Sequence, residues 1–382
     1  MLKLIRRIVL FTLLIMMLII DPLSANEKVA IQAKGTDAPT STLINNEADL
    51  TDYLKKANQN QKYTDGLLAF MHYHQISGEC VIRRNGQVIA VASTGYVDKN
   101  SEKQITNNQP MAIASISKTF CGVVIERLVE QGKMSYDDLL SKYLSDVEGA
   151  DEVTIRQLLT HTSGFQNKEI EPEQRLKTQA AVEDFTKSIT THHAENDFNY
   201  ANSNFVYLAL AASKASDKNY QTLVQTLILK PLQLKHTFFL DDLSKYFVLP
   251  ISYAVVDGVP FQQEETNYSE KLLSSLLGAG DLLSTASDLD TYFDDLVSKL
   301  LSNTEYQRLF HQQAVNDYQS GIWFSSDLRT CLGNFNGQGI RAVVVGTEDG
   351  KNQVTLITNQ SDSGDLTKLA TELRQDFQLS SD

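Results

Sequence analysis

Residues 112–120 read Ala-Ile-Ala-Ser-Ile-Ser-Lys-Thr-Phe (AIASISKTF). Apolar residues continue at Phe120, Val123, Val124, Leu128 and Val129, the spacing of one helix face, and the pattern stops near Gly132. The spacing predicts a helix over 115–132, with Ser115 at its start and Lys118 one turn further on the same face. A serine hydroxyl is a poor nucleophile near neutral pH unless a base adjoins it, and a buried lysine can present a neutral amine as that base. The start of a helix adds backbone N–H groups and the positive end of the dipole, which suit a developing oxyanion. Ser115 would serve as readily as a plain helix cap. A lone Ser-x-x-Lys is expected about once by chance in a chain of this composition.

Outward from this stretch, strands are expected at both ends of the chain. Glu79–Arg83 and Gln87–Ala92 are strand-like runs joined at Asn85-Gly86, a strong hairpin signal. Near the C-terminus, runs over 321–325, 340–346 and 354–358 read as strands, with Asp349-Gly350 turning the last pair. Leu366, Leu369, Ala370, Leu373 and Phe377 then mark an amphipathic helix. The middle, about 135–310, is mostly helical in pattern. The economical arrangement is α+β: one antiparallel sheet built from both chain ends, flanked by helices, with an inserted, mostly helical subdomain and a cleft where the two meet.

The chain has 382 residues, 42% hydrophobic and 21% charged, with a net charge of −13, as expected of a globular protein with a sizeable core. The acidic balance argues against a nucleic-acid partner. Three cysteines allow at most one bridge, and Cys121, in an apolar helical stretch, reads as a small core residue.

The N-terminus reads as an address. Lys3, Arg6 and Arg7 precede an apolar run over 8–20, and Leu23-Ser24-Ala25 offers a cleavage site. A run of that length spans roughly 20 Å as a helix, short of a ~30 Å hydrocarbon core. Residues 1–25 are therefore expected to be a signal peptide or, failing cleavage, a membrane anchor, with membrane association through residues 8–20 as the alternative outcome. Either way the rest of the chain is expected to be extracytoplasmic, secreted or held at the outer face of the cytoplasmic membrane. Losing Lys3, Arg6, Arg7 and Asp21 would take −13 to −15. Residues 26–60 read as a tether followed by a helical segment.

A second chemical element is Tyr200-Ala201-Asn202. A tyrosine beside an ammonium can shuttle protons, and an asparagine two residues on can present its amide to the same cleft. Taken alone, an ordinary loop entering a helix explains it as well. His192, His193 and Glu195 lack metalloprotease spacing and read as solvated surface. No cofactor and no metal is expected.

Together with their surroundings these pieces resemble the penicillin-binding-protein and serine β-lactamase-related hydrolases, in the branch with class C β-lactamases, DD-carboxypeptidases and D-alanyl esterases. The resemblance runs through AIASISKTF, then GKMSYDDLLSKYL (132–144) and TIRQLLTHTSG (154–164). It continues through Tyr200–Asn202, PLQLKHT (231–237) and GAGDLLSTASDL (278–289), and closes with Gly321-Ile322-Trp323 and LITN (356–359). It implies a hydrolase domain over 61–382 with Ser115 as the acylated nucleophile. Lys118 and Tyr200 would share acid/base work, and Asn202 would bind substrate. His161 falls in a structural stretch of the family and is expected to support the fold.

One departure bears on substrate. Where relatives carry Lys or His, a variable residue and Gly on a strand lining the cleft, this chain offers Cys331-Leu332-Gly333. Gly333 keeps room for substrate against the strand, but the basic residue that helps bind a terminal carboxylate is missing. Arg329 is a candidate stand-in. The expected substrate is a D-alanyl group of the cell wall or of teichoic acid. The loss tilts the reading toward a D-alanyl esterase over a DD-carboxypeptidase, with a β-lactamase third. A non-catalytic wall-binding or sensory module is the alternative of another class.

Overall fold

The computed structural model describes residues 44, 46–242, 247–265, 268–312, 316–325, 327–335 and 339–379. The expected signal or anchor over 1–25, and the tether up to residue 43, lie outside them. Among the described residues no helix is long and apolar enough to cross a membrane.

The hairpin forms as expected. Strands β1 (Ser77–Arg84) and β2 (Gln87–Thr94) meet at Asn85 and Gly86, whose φ values of 52° and 76° are those of the tight turn that Asn-Gly favours. From the other chain end come β3 (Tyr318–Gln319), β4 (Ile322–Phe324), β5 (Arg329–Asn334), β6 (Arg341–Gly346) and β7 (Gln353–Gln360). The seven strands form one sheet in the order β3-β4-β5-β6-β7-β1-β2, and every pairing is antiparallel. The two chain ends join at β7 and β1, where Cys80 faces Leu356 and Ile82 faces Val354.

Both faces of this sheet are covered, so β6 and β7 are buried along their whole length instead of alternating. On one face Cys80, Ile82, Val343, Val345 and Leu356 pack under helices α1 (Glu47–Gln59), α2 (Tyr63–Tyr73) and, from the C-terminus, Leu366–Asp376. On the other face Val81, Ala342, Val344 and Ile357 meet the helical part, led by α3 (Ser117–Glu130) and α4 (Asn202–Ser216). Both helices are buried on nearly every side because they sit between the sheet and the remaining helices. Cys121, fully buried, turns its thiol to the Phe205 carbonyl on α4 at 3.9 Å, and burial pushes that thiol well above its ordinary range.

The middle of the chain is less uniformly helical than its pattern suggests. It contains a hairpin, Ser252–Val256 with Val259–Glu265. It also contributes Phe238–Phe239 and Leu282–Ser284 to a small sheet with Met111–Ala112. The last pairing holds the chain immediately before Ser115 in place: the Ile113 N–H donates to the Leu282 carbonyl at 3.1 Å.

Candidate active site

Helices α3 and α4 pack side by side and bring their N-terminal ends to one cleft. Ser115 lies in a 3-10 turn, Ala114–Ile116, that leads into α3, and its side chain caps nothing. Ala114 just before it has φ 44°, a left-handed conformation that costs an L-residue about 1 kcal/mol. Lys118 lies one turn on, and its side chain is fully buried.

Burying an ammonium requires partners for all its donors. Lys118 Nζ donates to Ser115 Oγ (2.9 Å), to Asn202 Oδ1 (2.8 Å) and to the Ala279 carbonyl (2.8 Å). From the turn before α4, the Tyr200 hydroxyl donates to Ser115 Oγ at 2.8 Å. The Lys118 nitrogen stands 4.9 Å from the centre of the Tyr200 ring. The serine oxygen thus accepts from two groups, the Lys118 nitrogen and the Tyr200 phenol. The residues singled out from sequence at 115, 118, 200 and 202 converge. Asn202 engages Lys118 through its carbonyl oxygen, a contact that sequence spacing does not reveal.

His161 holds the turn that carries Tyr200. Its carbonyl accepts from the Asn199 N–H (2.8 Å) and its Nδ1 from the Ala201 N–H (3.3 Å) and Asn204 Nδ2 (2.8 Å). Its ring lies 4.3 Å from that of Tyr200. Burial, with Lys118 nearby, holds the imidazole well below its ordinary pKa, so it is neutral. This agrees with a fold-supporting residue and adds what it supports.

A cavity of about 290 Å³ opens beside Ser115. Asn202, Ala279, Gly280, Asn334 and Phe335 form part of its lining, and Glu169 and Glu171 stand at its rim. None of the described lining residues is Lys or Arg. Glu171 is paired with Lys271 (2.7 Å) and accepts from Ser269 (2.6 Å), which holds its carboxyl below the usual range. Glu169 is exposed and accepts from the Asn167 amide at 3.2 Å.

Strand β5 forms the facing wall. A side chain at Gly333 would place its Cβ 2.1 Å from the Ile113 carbonyl oxygen, so the space that this glycine leaves is taken by the chain leading into Ser115. The cavity itself is met by the next residues, Asn334 and Phe335. Cys331 is buried, its thiol pushed up to about 12 by burial. Arg329 does not replace the missing base. It is fully buried, donating to the Phe293 carbonyl (2.5 Å) and to Gln353 (3.3 Å), and is absent from the cavity lining.

The candidate metal ligands of the sequence do not assemble. His192 is half-buried, not solvated, and bonds the Ser163 carbonyl at 3.2 Å; His193 and Glu195 are exposed. Among the described residues, Glu126, Glu130 and Glu305 lie close enough to share a cation, but Arg308 and Arg127 already pair with them.

A family model described as Beta-lactamase matches residues 61–376. A putative penicillin-binding protein PbpX of Bacillus subtilis (strain 168) is 26% identical over 279 residues, covering 71% of this chain and 67% of that protein. A teichoic acid D-alanine hydrolase of Staphylococcus aureus is 25% identical over 269 residues, covering 69% of this chain and 66% of that one. Across such curated relatives the chain spans from 35% to 67% of their length. Among solved structures, FmtA from Staphylococcus aureus superposes with a TM-score of 0.73 at 23% identity, covering 87% of this chain and 95% of that one.

Proposed function

The chain belongs to the beta-lactamase family of serine hydrolases, and from that premise we propose that it is an exported D-alanyl esterase of teichoic acid working through an acyl-Ser115 intermediate. The observation that carries the chemistry is the position of Ser115 Oγ, 2.9 Å from Lys118 Nζ and 2.8 Å from the Tyr200 oxygen. When the Lys118–Tyr200 pair holds one proton fewer than ammonium plus phenol, the serine oxygen attacks the ester carbonyl and its proton passes to that pair. The same pair returns a proton to the departing alcohol. Water then attacks the acyl-serine, giving up a proton to the pair, and D-alanine leaves as Ser115 is reprotonated. The start of α3 favours the negative charge that develops on the carbonyl oxygen. Asn202, its oxygen engaged with Lys118, has its amide nitrogen left for the substrate.

The substrate class is supported by charge. Binding a terminal carboxylate calls for a cation, and the described lining supplies none, whereas Glu169, whose carboxylate accepts only from the Asn167 amide, favours the free ammonium of a D-alanyl ester. The relative named teichoic acid D-alanine hydrolase fits this reading. The relatives named penicillin-binding proteins support the second, a DD-carboxypeptidase.

The test compares turnover of D-alanylated teichoic acid, a D-Ala-D-Ala peptide and a chromogenic β-lactam, with Ser115→Ala as control and intact mass to detect the acyl adduct. Release of D-alanine from the polymer, with an adduct lost in Ser115→Ala, is the expected result. Turnover of the peptide alone overturns the esterase. No adduct, and D-alanine release that survives in Ser115→Ala, overturns the serine hydrolase.

A further inference from the structure

The cavity beside Ser115 is larger than a D-alanyl group, and part of its lining is more apolar than that group alone calls for. Beyond the reacting carbonyl, a D-alanyl ester presents three heavy atoms: the α-carbon, the methyl carbon and the ammonium nitrogen. The cavity holds about 290 Å³. An apolar cavity of roughly 150 Å³ is room enough for benzene. The acyl half of the ester is the half that enters. The departing alcohol takes its proton from the Lys118–Tyr200 pair, and neither residue is among the described lining. Asn202 and Glu169, the partners proposed for the acyl part, both are.

The apolar part of the lining comes from a second set of residues. Leu272, on the short helix Glu270–Ser275, and Leu276, just past its end, are four residues apart and both line the cavity. Both are half-buried, and both pack on the small core cluster that contains Ala114 and Phe335. Phe335 is held against the Tyr268 ring, with centres 5.6 Å apart. Ile170, between Glu169 and Glu171 in sequence and also in the lining, is 51% exposed. Aliphatic surface left open beside a nucleophile gains free energy when an apolar group of the ligand covers it. An alanine methyl is too small to cover three such side chains.

We infer that the acyl site takes D-aminoacyl esters whose side chain is apolar and larger than methyl, D-leucyl and D-phenylalanyl among them, laid on Ile170, Leu272, Leu276 and Phe335. The inference rests on the reading of Ser115 as nucleophile and of this cavity as its acyl site. The reaction keeps its course: the ester C–O bond breaks as Ser115 Oγ takes the acyl group, and the alcohol leaves with a proton. Water then cleaves the acyl-serine to give the free D-amino acid. The four side chains set which acyl group is accepted and leave proton transfer to Lys118 and Tyr200.

The measurement is kcat/KM of the full chain for the methyl esters of D-alanine, D-leucine, D-phenylalanine and D-asparagine, read as free amino acid released. All share one leaving group, so differences between them report the acyl site. The D-leucyl and D-phenylalanyl esters should each exceed the D-alanyl ester by about 5- to 50-fold. D-Asparagine has nearly the shape of D-leucine without its apolar character, and its ester should gain nothing. Ile170→Ser and Leu272→Ser should each lower the leucyl-to-alanyl ratio by roughly threefold or more. A ratio taken within one preparation does not move when part of the protein is misfolded. A leucyl-to-alanyl ratio of one or below in the parent overturns this inference and leaves the proposed function standing. An equal gain for the asparaginyl ester, or a ratio unmoved by both variants, does the same. Turnover of the D-leucyl ester without release of D-alanine from teichoic acid upholds the inference and overturns the polymer as substrate. No turnover of any ester, or turnover that survives in Ser115→Ala, overturns both.

Discussion

On the helical side of the cleft, Ser115, Lys118, Tyr200 and Asn202 are joined by hydrogen bonds of 2.8–2.9 Å, and Lys118 has spent its donors within the protein. On the strand side, β5 turns Arg329 and Cys331 into the core and leaves Leu332 exposed. The first wall is a fixed set of proton donors and acceptors. The second is a backbone edge without a charged side chain. Under the proposed function, reaction chemistry and substrate choice separate: the first falls to helices buried on nearly all sides, the second to what the strand and the Glu169 side of the cavity present.

The most severe way to break that division is at Gly333. Ala at this position meets the Ile113 carbonyl, which is backbone and cannot swing aside. We expect Gly333→Ala to push β5 away from the turn carrying Ser115, costing roughly 1–3 kcal/mol of stability and about 100-fold in kcat/KM. Thermal melting and ester turnover check this. Unchanged turnover would show that the two walls need not be in register.

Glu169 sharpens the comparison from the other rim. An exposed carboxylate meeting a substrate ammonium is worth about 0.2–1 kcal/mol. Glu169→Gln should therefore raise KM for a D-alanyl ester by roughly two- to fivefold at low salt, less at high salt. An N-acetyl-D-alanyl ester, which carries no ammonium, should be unaffected. Equal effects on both substrates would remove charge from the account of specificity.

The smallest effect on turnover is expected at Asp281, behind the reacting groups. Its carboxyl is buried and raised to about 7, chiefly by burial, while accepting the Gly278 N–H at 3.0 Å. Unfolded, it would release its proton near pH 4. Between about pH 4 and 7 the folded chain keeps a proton that the unfolded chain has lost, so stability falls as pH rises. Asp281→Asn retains the acceptor oxygen and removes this slope. Its melting temperature should gain on the parent from pH 4 to 7 and run parallel above that. A constant gap across the range would contradict the assignment.

What the sequence reveals follows from how local each feature is. Ser115 and Lys118 are three residues apart on one helix, so periodicity alone brings them together. Asn85-Gly86 fixes its hairpin by backbone preference, and 340–346 reads as a buried strand because both faces of the sheet are covered. The features left unread depend on distant packing. His161 and Tyr318 are separated by 157 residues, and nothing in either segment announces the other. Gly333 reads as space for substrate, whereas its neighbour is the Ile113 carbonyl. Arg329 reads as a cation near the cleft until the fold places it behind the strand. The hairpin at 252–265 is short and mixed in burial, which hides it within a region of helical character.

The three bonds of Lys118 reach partners 3, 84 and 161 positions along the chain. A segment that contains Ser115 and Lys118 but has not docked α4 and the Gly278–Gly280 loop holds the nucleophile without its surroundings. Covalent labelling of Ser115 is for that reason a clock for folding. A trapping reagent added during refolding should mark the serine only after the longest of these loops has closed, so the rate at which label appears times the final assembly of the chain and not the formation of the helix that bears the serine.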